Sequence, residues 1–355
     1  MRYERNNIKT MRGYVSGEQP ENDKSVKLNT NENPYPPAPE IQQVIVNFDV
    51  KVLRRYPPAR ADKFRDLAAS LHKVDRHNII ATRGGDELLR LLITTFVNPG
   101  EAIAMTDPTY SLYPVLAQIQ DCPVVTVPLN EDWSLPNDFT ERINKADCKL
   151  TFLVNPHAPS GKLLDTDTLA CIASELDSVL LIDEAYVDFI DDDYDSIPLI
   201  FEQDNIVILR TLSKGYSLAG LRFGYGIGAE PLIRPMLEKT RDSYNLDLIS
   251  QLIAEAAISN HDYAMENCRK VIAQRNTLRD SLLELGFSCE ATQTNFLLAT
   301  IPTGFACSAK QLYEELKTQG ILIRYFSDPR LINKVRISIG LPEENKKLIN
   351  SIKSL

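Results

Sequence analysis

The sequence predicts an α/β protein: a large unit built on a mostly parallel seven-stranded sheet sandwiched by helices, followed by a smaller α+β unit. Two observations carry this. From Asp62 onward, short apolar runs alternate with segments of helical periodicity, the pattern of strands buried on both faces by crossover helices. After RFGYGIG the alternation stops, two long helical patterns follow, and shorter mixed elements close the chain.

The elements follow in order. The first forty residues are polar and rich in proline and asparagine, ending in KLNTNENPYPPAPE, and read as an extended arm with turns. DKFRDLAASLHK is helical, NIIATRG a strand, DELLRLLITTF a helix, EAIAMTDP a strand, YSLYPVLAQI a helix and CPVVTVPL a strand. KLTFLVNP, SVLLIDEAY, NIVILRTLSK and RFGYGIG supply four further strands, with a helix near Leu169 to Leu176 between the first two. LDLISQLIAEAAIS is helical, and the pattern near 261–285 is long enough to bridge two domains. TNFLLATI, SAKQLYEELKTQG, ILIRYF, KVRISIG and a closing helix make the second unit. The expected division is an arm with part of the small domain over 1–48, a large cofactor-binding domain over 49–260 and a small domain over 261–355.

Composition narrows the function classes. At 43% hydrophobic and 25% charged residues the chain has the balance of a folded protein. A formal charge of -9 opposes a general field for nucleic acid or anionic lipid, so an anionic ligand has to be caught by a few local cations. The six cysteines form no C-x-x-C pair and read as reduced and mostly buried, without a metal site. No signal-peptide pattern or membrane-length apolar run is present, which makes the cytoplasm the expected location.

Four strand ends deliver a polar side chain where an apolar run stops: Asp107, Asn155, Asp183 and Lys214. Asp107, followed by proline, reads as a turn former; any single aspartate here competes with a capping role. Lys214 follows the hydroxyls Thr211 and Ser213 and precedes Arg222 by eight residues, and hydroxyls with an arginine make a phosphate cup. A desolvated lysine near other cations forms Schiff bases, and pyridoxal phosphate needs that lysine, a phosphate site and a carboxylate for its ring nitrogen. Asp183 is the candidate carboxylate. Gly84 and Gly85 lie between a strand and a helix, where free N–H groups favour a phosphate; a tight turn with Asp86 and Glu87 facing the helix dipole explains them equally well. His157 reads as a locally satisfied loop histidine, with ligand contact as the alternative.

Together KLNTNENPYPP, RYP, GGDE, DPTY, NPHAPSG, DEAY, TLSK with AGLRFGY, TNF and VRISIG come in the order and spacing of fold-type I pyridoxal-phosphate aminotransferases. The chain resembles most closely the histidinol-phosphate aminotransferases, from Tyr14 to Arg336. The resemblance implies that Lys214 is the lysine bound to pyridoxal 5'-phosphate and the base that moves the substrate Cα proton. It implies that Asp183 pairs with the ring nitrogen, that Asn155 and Tyr186 meet the phenolic oxygen, and that Tyr110 stacks on the ring. Gly85, Asp86, Thr211, Ser213 and Arg222 are expected around the phosphate, with Tyr56 arriving from the partner of a homodimer. Tyr14, Arg324 and Arg336 are expected at the substrate, the arginines taking its phosphate or the carboxylate of glutamate. Where many relatives read N-P-N-N-P-T-G, this chain reads Asn155-Pro156-His157-Ala158-Pro159-Ser160-Gly161. The implied reaction is transamination of L-histidinol phosphate with 2-oxoglutarate. Aromatic or broad-range transamination is the first alternative, and decarboxylation of a phosphothreonine the second.

Overall fold

The computed structural model describes residues 3–20, 25–191 and 193–355. Its central layer is a seven-stranded sheet in the spatial order Ile79–Thr82, Gly224–Gly228, Ile206–Thr211, Val179–Asp183, Leu150–Val154, Ile103–Asp107, Val124–Pro128. All seven expected strands are in it. Gly224–Gly228 alone runs antiparallel, pairing with Ile79–Thr82 on one side and Ile206–Thr211 on the other.

Strand periodicity divides the core. Along Ile206 to Leu209 alternate side chains enter two separate clusters, with Ile206 and Ile208 on one face and Val207 and Leu209 on the other. Ile79 and Ile80 divide in the same way. Each cluster is closed by helices: Gly85–Phe96 and Leu112–Ile119 cover one face, while Asp62–His72, Thr166–Glu175 and Leu248–Ser259 cover the other.

The smaller unit is an antiparallel sheet in the order Arg324–Tyr325, Lys334–Ser338, Phe296–Thr300, Ser288–Cys289. It packs against Ala309–Thr318, Pro342–Lys353 and the 24-residue helix His261–Glu284.

The arm is less extended than its composition suggests. Asn6–Thr10 is a short helix, and Val26–Lys27 pairs in parallel with Ile321–Leu322 in a separate two-stranded sheet. Pro39–Val46 is helical and sends Ile41 into a core cluster of the large sheet. The chain therefore joins the packing of the large unit before residue 49, because that helix has an apolar face to bury.

Candidate active site

Parallel strands end on one edge of a sheet, and a single reversed strand starts there. Thr211 pairs with Gly224, and so does Thr82. The entry to Gly224–Gly228 therefore brings Arg222 beside Ser213 on one side and the turn after Thr82 on the other. A cavity of about 420 Å³ opens over this edge, lined by Lys214, Asp183, Tyr186, Tyr110, Arg324 and Arg336 among others.

The Lys214 amine donates to the Thr30 carbonyl at 2.9 Å and stands 5.8 Å from the centre of the Tyr186 ring. Burial, followed by the charge of Arg336, lowers its pKa to about 8. Asp183 is buried, and burial pushes its pKa up to about 6 against hydrogen bonds from the Tyr113 hydroxyl at 2.6 Å and the Ala185 N–H at 3.1 Å. A cation placed against Asp183 would hold it ionised, since desolvation is what opposes its charge. Tyr186 is turned to the cavity, and its hydroxyl accepts from Asn31 Nδ2 at 2.9 Å. Tyr110 lines the wall, with Tyr14 edge-on to it at 6.1 Å between centroids.

Gly85, Asp86, Thr211, Ser213 and Arg222 converge on one end of the cavity. Thr211 Oγ1 donates to Ser213 Oγ at 3.0 Å, and Arg222 donates to Ser213 Oγ and Asp86 Oδ2, both at 3.4 Å. Gly84 has φ 75°, and a Cβ there would lie 2.8 Å from Arg222 Nη2. Only glycine lets the guanidinium close on the N-terminus of Gly85–Phe96, where hydroxyls, backbone N–H groups and a cation suit a phosphate.

At the opposite end Arg324 and Arg336 are partners across adjacent antiparallel strands. Directly opposed residues share a face, so both guanidinium groups reach the cavity. Arg336 Nη2 donates to the Asn29 carbonyl at 3.3 Å, while its buried Nε has no partner. Burial and the neighbouring Arg324 disfavour the charge of Arg336, a cost that an incoming anion relieves.

One expected site residue is placed beside the cavity wall. Asn155 does not line the cavity. Its Nδ2 donates to the Leu164 carbonyl and the Tyr194 hydroxyl, both at 3.0 Å, and its Oδ1 accepts from the Leu164 N–H at 2.8 Å. Side chains alternate along a strand, so with Val154 facing the cavity Asn155 faces away. Ala158 and Pro159 occupy that wall, leaving Tyr186, supported by Asn31, as its hydroxyl. Tyr56 also stands outside this cavity, 80% exposed and stacked on Tyr244 at 4.5 Å. His157 is buried beside the site: its Nε2 reaches the Pro108 carbonyl at 3.0 Å and its Nδ1 the Ser160 hydroxyl at 2.7 Å. A carbonyl only accepts, so Nε2 carries the proton and burial keeps the ring neutral, with its pKa lowered to about 4.

Sequence reasoning missed Tyr113, Asn31 and Thr30. Tyr113 lies three residues after Tyr110, a spacing compatible with a shared face, and that signal was available. Asn31 and Thr30 belong to the arm, and only tertiary contact brings them to the sheet.

The donor set fits pyridoxal phosphate: an amine of lowered pKa, a buried carboxylate and a phosphate cup share one cavity of suitable size. Among the described residues no group of three His, Cys, Asp or Glu side chains is arranged to hold a metal ion.

Comparison with known proteins agrees with this geometry. The family described as aminotransferase class I and II matches residues 23–352. Histidinol-phosphate aminotransferase 1 of Trichormus variabilis is 41% identical over 354 residues, 99% of each chain. The histidinol-phosphate aminotransferase of Microcystis aeruginosa is 42% identical, covering 96% of this chain and 95% of its own. The crystal structure of histidinol-phosphate aminotransferase from Sinorhizobium meliloti in complex with pyridoxal-5'-phosphate superposes with a TM-score of 0.90 at 22% identity, over 100% of this chain and 98% of that one.

Proposed function

The chain belongs to the class I and II aminotransferases, and from that premise we propose that it exchanges the amino group of L-histidinol phosphate with the oxo group of 2-oxoglutarate, using pyridoxal 5'-phosphate. The observation that carries the substrate class is the opposed pair Arg324 and Arg336, facing the cavity that holds Lys214 and Asp183. Two guanidinium groups suit a phosphate monoester, and the same pair takes the distal carboxylate of a dicarboxylic acid in the return half of the cycle. The histidinol-phosphate aminotransferases at about 40% identity support the same substrate.

When bound, pyridoxal phosphate supplies an electron sink for the pair released as the substrate Cα loses its proton. In our reading Ser213, Thr211, Arg222 and the helix start at Gly85 and Asp86 anchor its phosphate. Tyr110 would stack on the ring, Tyr186 would meet the phenolic oxygen, and Asp183 would hold a proton at the ring nitrogen. Lys214 takes the Cα proton. Its lowered pKa leaves a usable fraction of free amine near neutral pH. Tyr14, 42% exposed at the mouth of the cavity, covers the substrate and limits water.

We further read the protein as a cytoplasmic homodimer. Among the described residues no helix is long and apolar enough to cross a membrane. Ile45, Val46, Val50 and Leu53 expose apolar side chains close in sequence to Tyr56, and such a patch suits a second copy of the chain. Tyr56 would then serve the neighbouring cofactor phosphate.

The test is a half-reaction. The cofactor-loaded protein is mixed with L-histidinol phosphate without an oxo acid, and loss of the visible cofactor band is followed beside a phenylalanine control. Saturation at far lower concentration with histidinol phosphate is the expected result. Preference for phenylalanine moves the protein to the aromatic class, and release of carbon dioxide from phosphothreonine without an acceptor makes it a decarboxylase.

A further inference from the structure

The turn that carries Lys214 is held from outside the cavity. The carbonyl of Lys214 accepts from the Ser217 N–H at 3.2 Å, and the Asp188 carboxylate lies directly against Gly215, where the backbone of the same peptide unit favours its charge. The next carbonyl, that of Gly215, accepts from Asn33 Nδ2 at 3.2 Å. Both peptide units around Gly215 are therefore fixed by side chains distant in sequence.

The fit is close. A Cβ on residue 215 would lie 2.2 Å from Asp188 Oδ2 and 2.6 Å from its Cβ and Cγ, so the carboxylate is pressed against a position only glycine can occupy. Asp188 is itself on a rigid mount. It lies in the single 3₁₀ turn Val187–Phe189, directly after Tyr186. Phe189 is buried in the core of the small domain, and its carbonyl accepts from Arg275 of the helix His261–Glu284 at 2.9 Å. Arg210, ion-paired with Glu184 at 2.7 Å, supplies positive charge to Asp188. Asp188 does not line the cavity, so any influence it has on chemistry passes through Lys214.

The arm grips the lysine at both ends. Asn33 fixes the backbone beyond Lys214, and Thr30, three residues earlier, receives the amine at 2.9 Å.

We propose that Asp188 and Asn33 are positioning residues, a two-sided clamp on the peptide units flanking Gly215 that fixes the direction in which the Lys214 amine enters the cavity. The proposal rests on the reading of Lys214 as the proton-transferring amine. An amine on a loose turn samples directions away from the substrate Cα, and small misplacement of a reacting group is costly in rate. The clamp therefore acts on kcat and leaves substrate affinity to Arg324 and Arg336.

The experiment uses the full-length, cofactor-loaded protein with Asp188→Ala, Asp188→Asn and Asn33→Ala. Hydrogen–deuterium exchange is read over residues 212–218, together with kcat, KM and the melting temperature. Asp188→Ala is expected to speed exchange in that segment and to lower kcat, each by about tenfold, the scale of one hydrogen bond to a charged group. KM should stay within about threefold, because only substrate binding held in common by ground and transition states moves it alone. Asp188→Asn keeps an acceptor and should restore most of kcat, while Asn33→Ala should shift exchange and kcat in the same direction as Asp188→Ala.

Unchanged exchange and kcat in Asp188→Ala overturn the proposal. So does an Asp188→Asn variant as impaired as Asp188→Ala, which would make the residue a counter-charge for Arg210. If Asp188→Ala fails to fold, Asn33→Ala decides, and unchanged exchange over 212–218 in that variant overturns the clamp. The exchange measurement needs no substrate, so an error in the assigned reaction appears in wild-type turnover and leaves the exchange comparison intact.

Discussion

The Tyr113 hydroxyl donates a 2.6 Å hydrogen bond to Oδ2 of Asp183, and both side chains are buried, Asp183 in the cavity lining and Tyr113 behind it. That bond lowers the pKa of a carboxyl group which burial raises. It thereby favours the ionised form that a protonated ring nitrogen needs opposite it. Tyr113→Phe removes the donor while keeping the ring that packs 4.8 Å from Phe152. A hydrogen bond to a charged group is worth roughly 1.5–3 kcal/mol, so kcat should fall about 10- to 100-fold with the fold retained. Steady-state kinetics beside a melting curve check this, and an unchanged kcat would show that Asp183 holds its charge without help.

Lys214 makes a pH-dependent prediction for the cofactor-free protein. Its amine releases a proton near pH 8 when folded and near 10.5 in its ordinary state. Between those values the unfolded chain binds more protons, so stability rises with pH across that window. Below it the buried charge costs roughly 3 kcal/mol. Lys214→Met removes the group, and its melting temperature relative to wild type should be highest below pH 8, the difference shrinking toward pH 10.5. A difference independent of pH would mean that the amine is not desolvated. The same variant should lose all transamination.

Arg336 and Arg324 should separate by magnitude. Both arginines are half-buried, but Arg336 has a buried Nε lacking a partner and burial disfavours its charge. Removing a partner of a buried charged contact costs roughly 2–5 kcal/mol. Arg336→Ala should therefore raise KM for histidinol phosphate by about 100-fold or more, and Arg324→Ala by about tenfold. Equal KM values in wild type and Arg336→Ala would remove the phosphate from this end of the cavity.

The exposed apolar patch gives a prediction about assembly. Leu53→Asp places a charge among Val50, Val46 and Ile45 and should shift the protein to monomers in sedimentation velocity. Tyr56→Phe keeps its stacking on Tyr244 but loses the hydroxyl. Cofactor retention should then weaken by about tenfold in an intact dimer, as measured by dialysis and absorbance. Unchanged retention would remove Tyr56 from the neighbouring site.

The strand ends were legible because a buried strand is an uninterrupted apolar run, and its last residue is where a polar side chain stops being costly. Asp183 and Thr211 end their strands by that rule, with Ser213 and Lys214 in the turn just beyond, and the seven strands follow from it too. The direction of a side chain at a strand end did not follow. Asn155 is placed one residue beyond Val154, and the alternation of the strand turns it from the cavity toward Tyr194.

The sequence by itself determined the layered α/β architecture, the Lys214 end of its strand and the chemistry of the residues around it, because periodicity and residue type act locally. Only the tertiary structure decided which residues meet. The reversed strand Gly224–Gly228 carries Arg222 to Ser213 and Asp86. Antiparallel pairing opposes Arg324 to Arg336, and the arm delivers Thr30, Asn31 and Asn33 to Lys214, Tyr186 and Gly215. Each of these contacts joins segments far apart in the chain, so its geometry is set by packing around two cores and by no property of the local sequence.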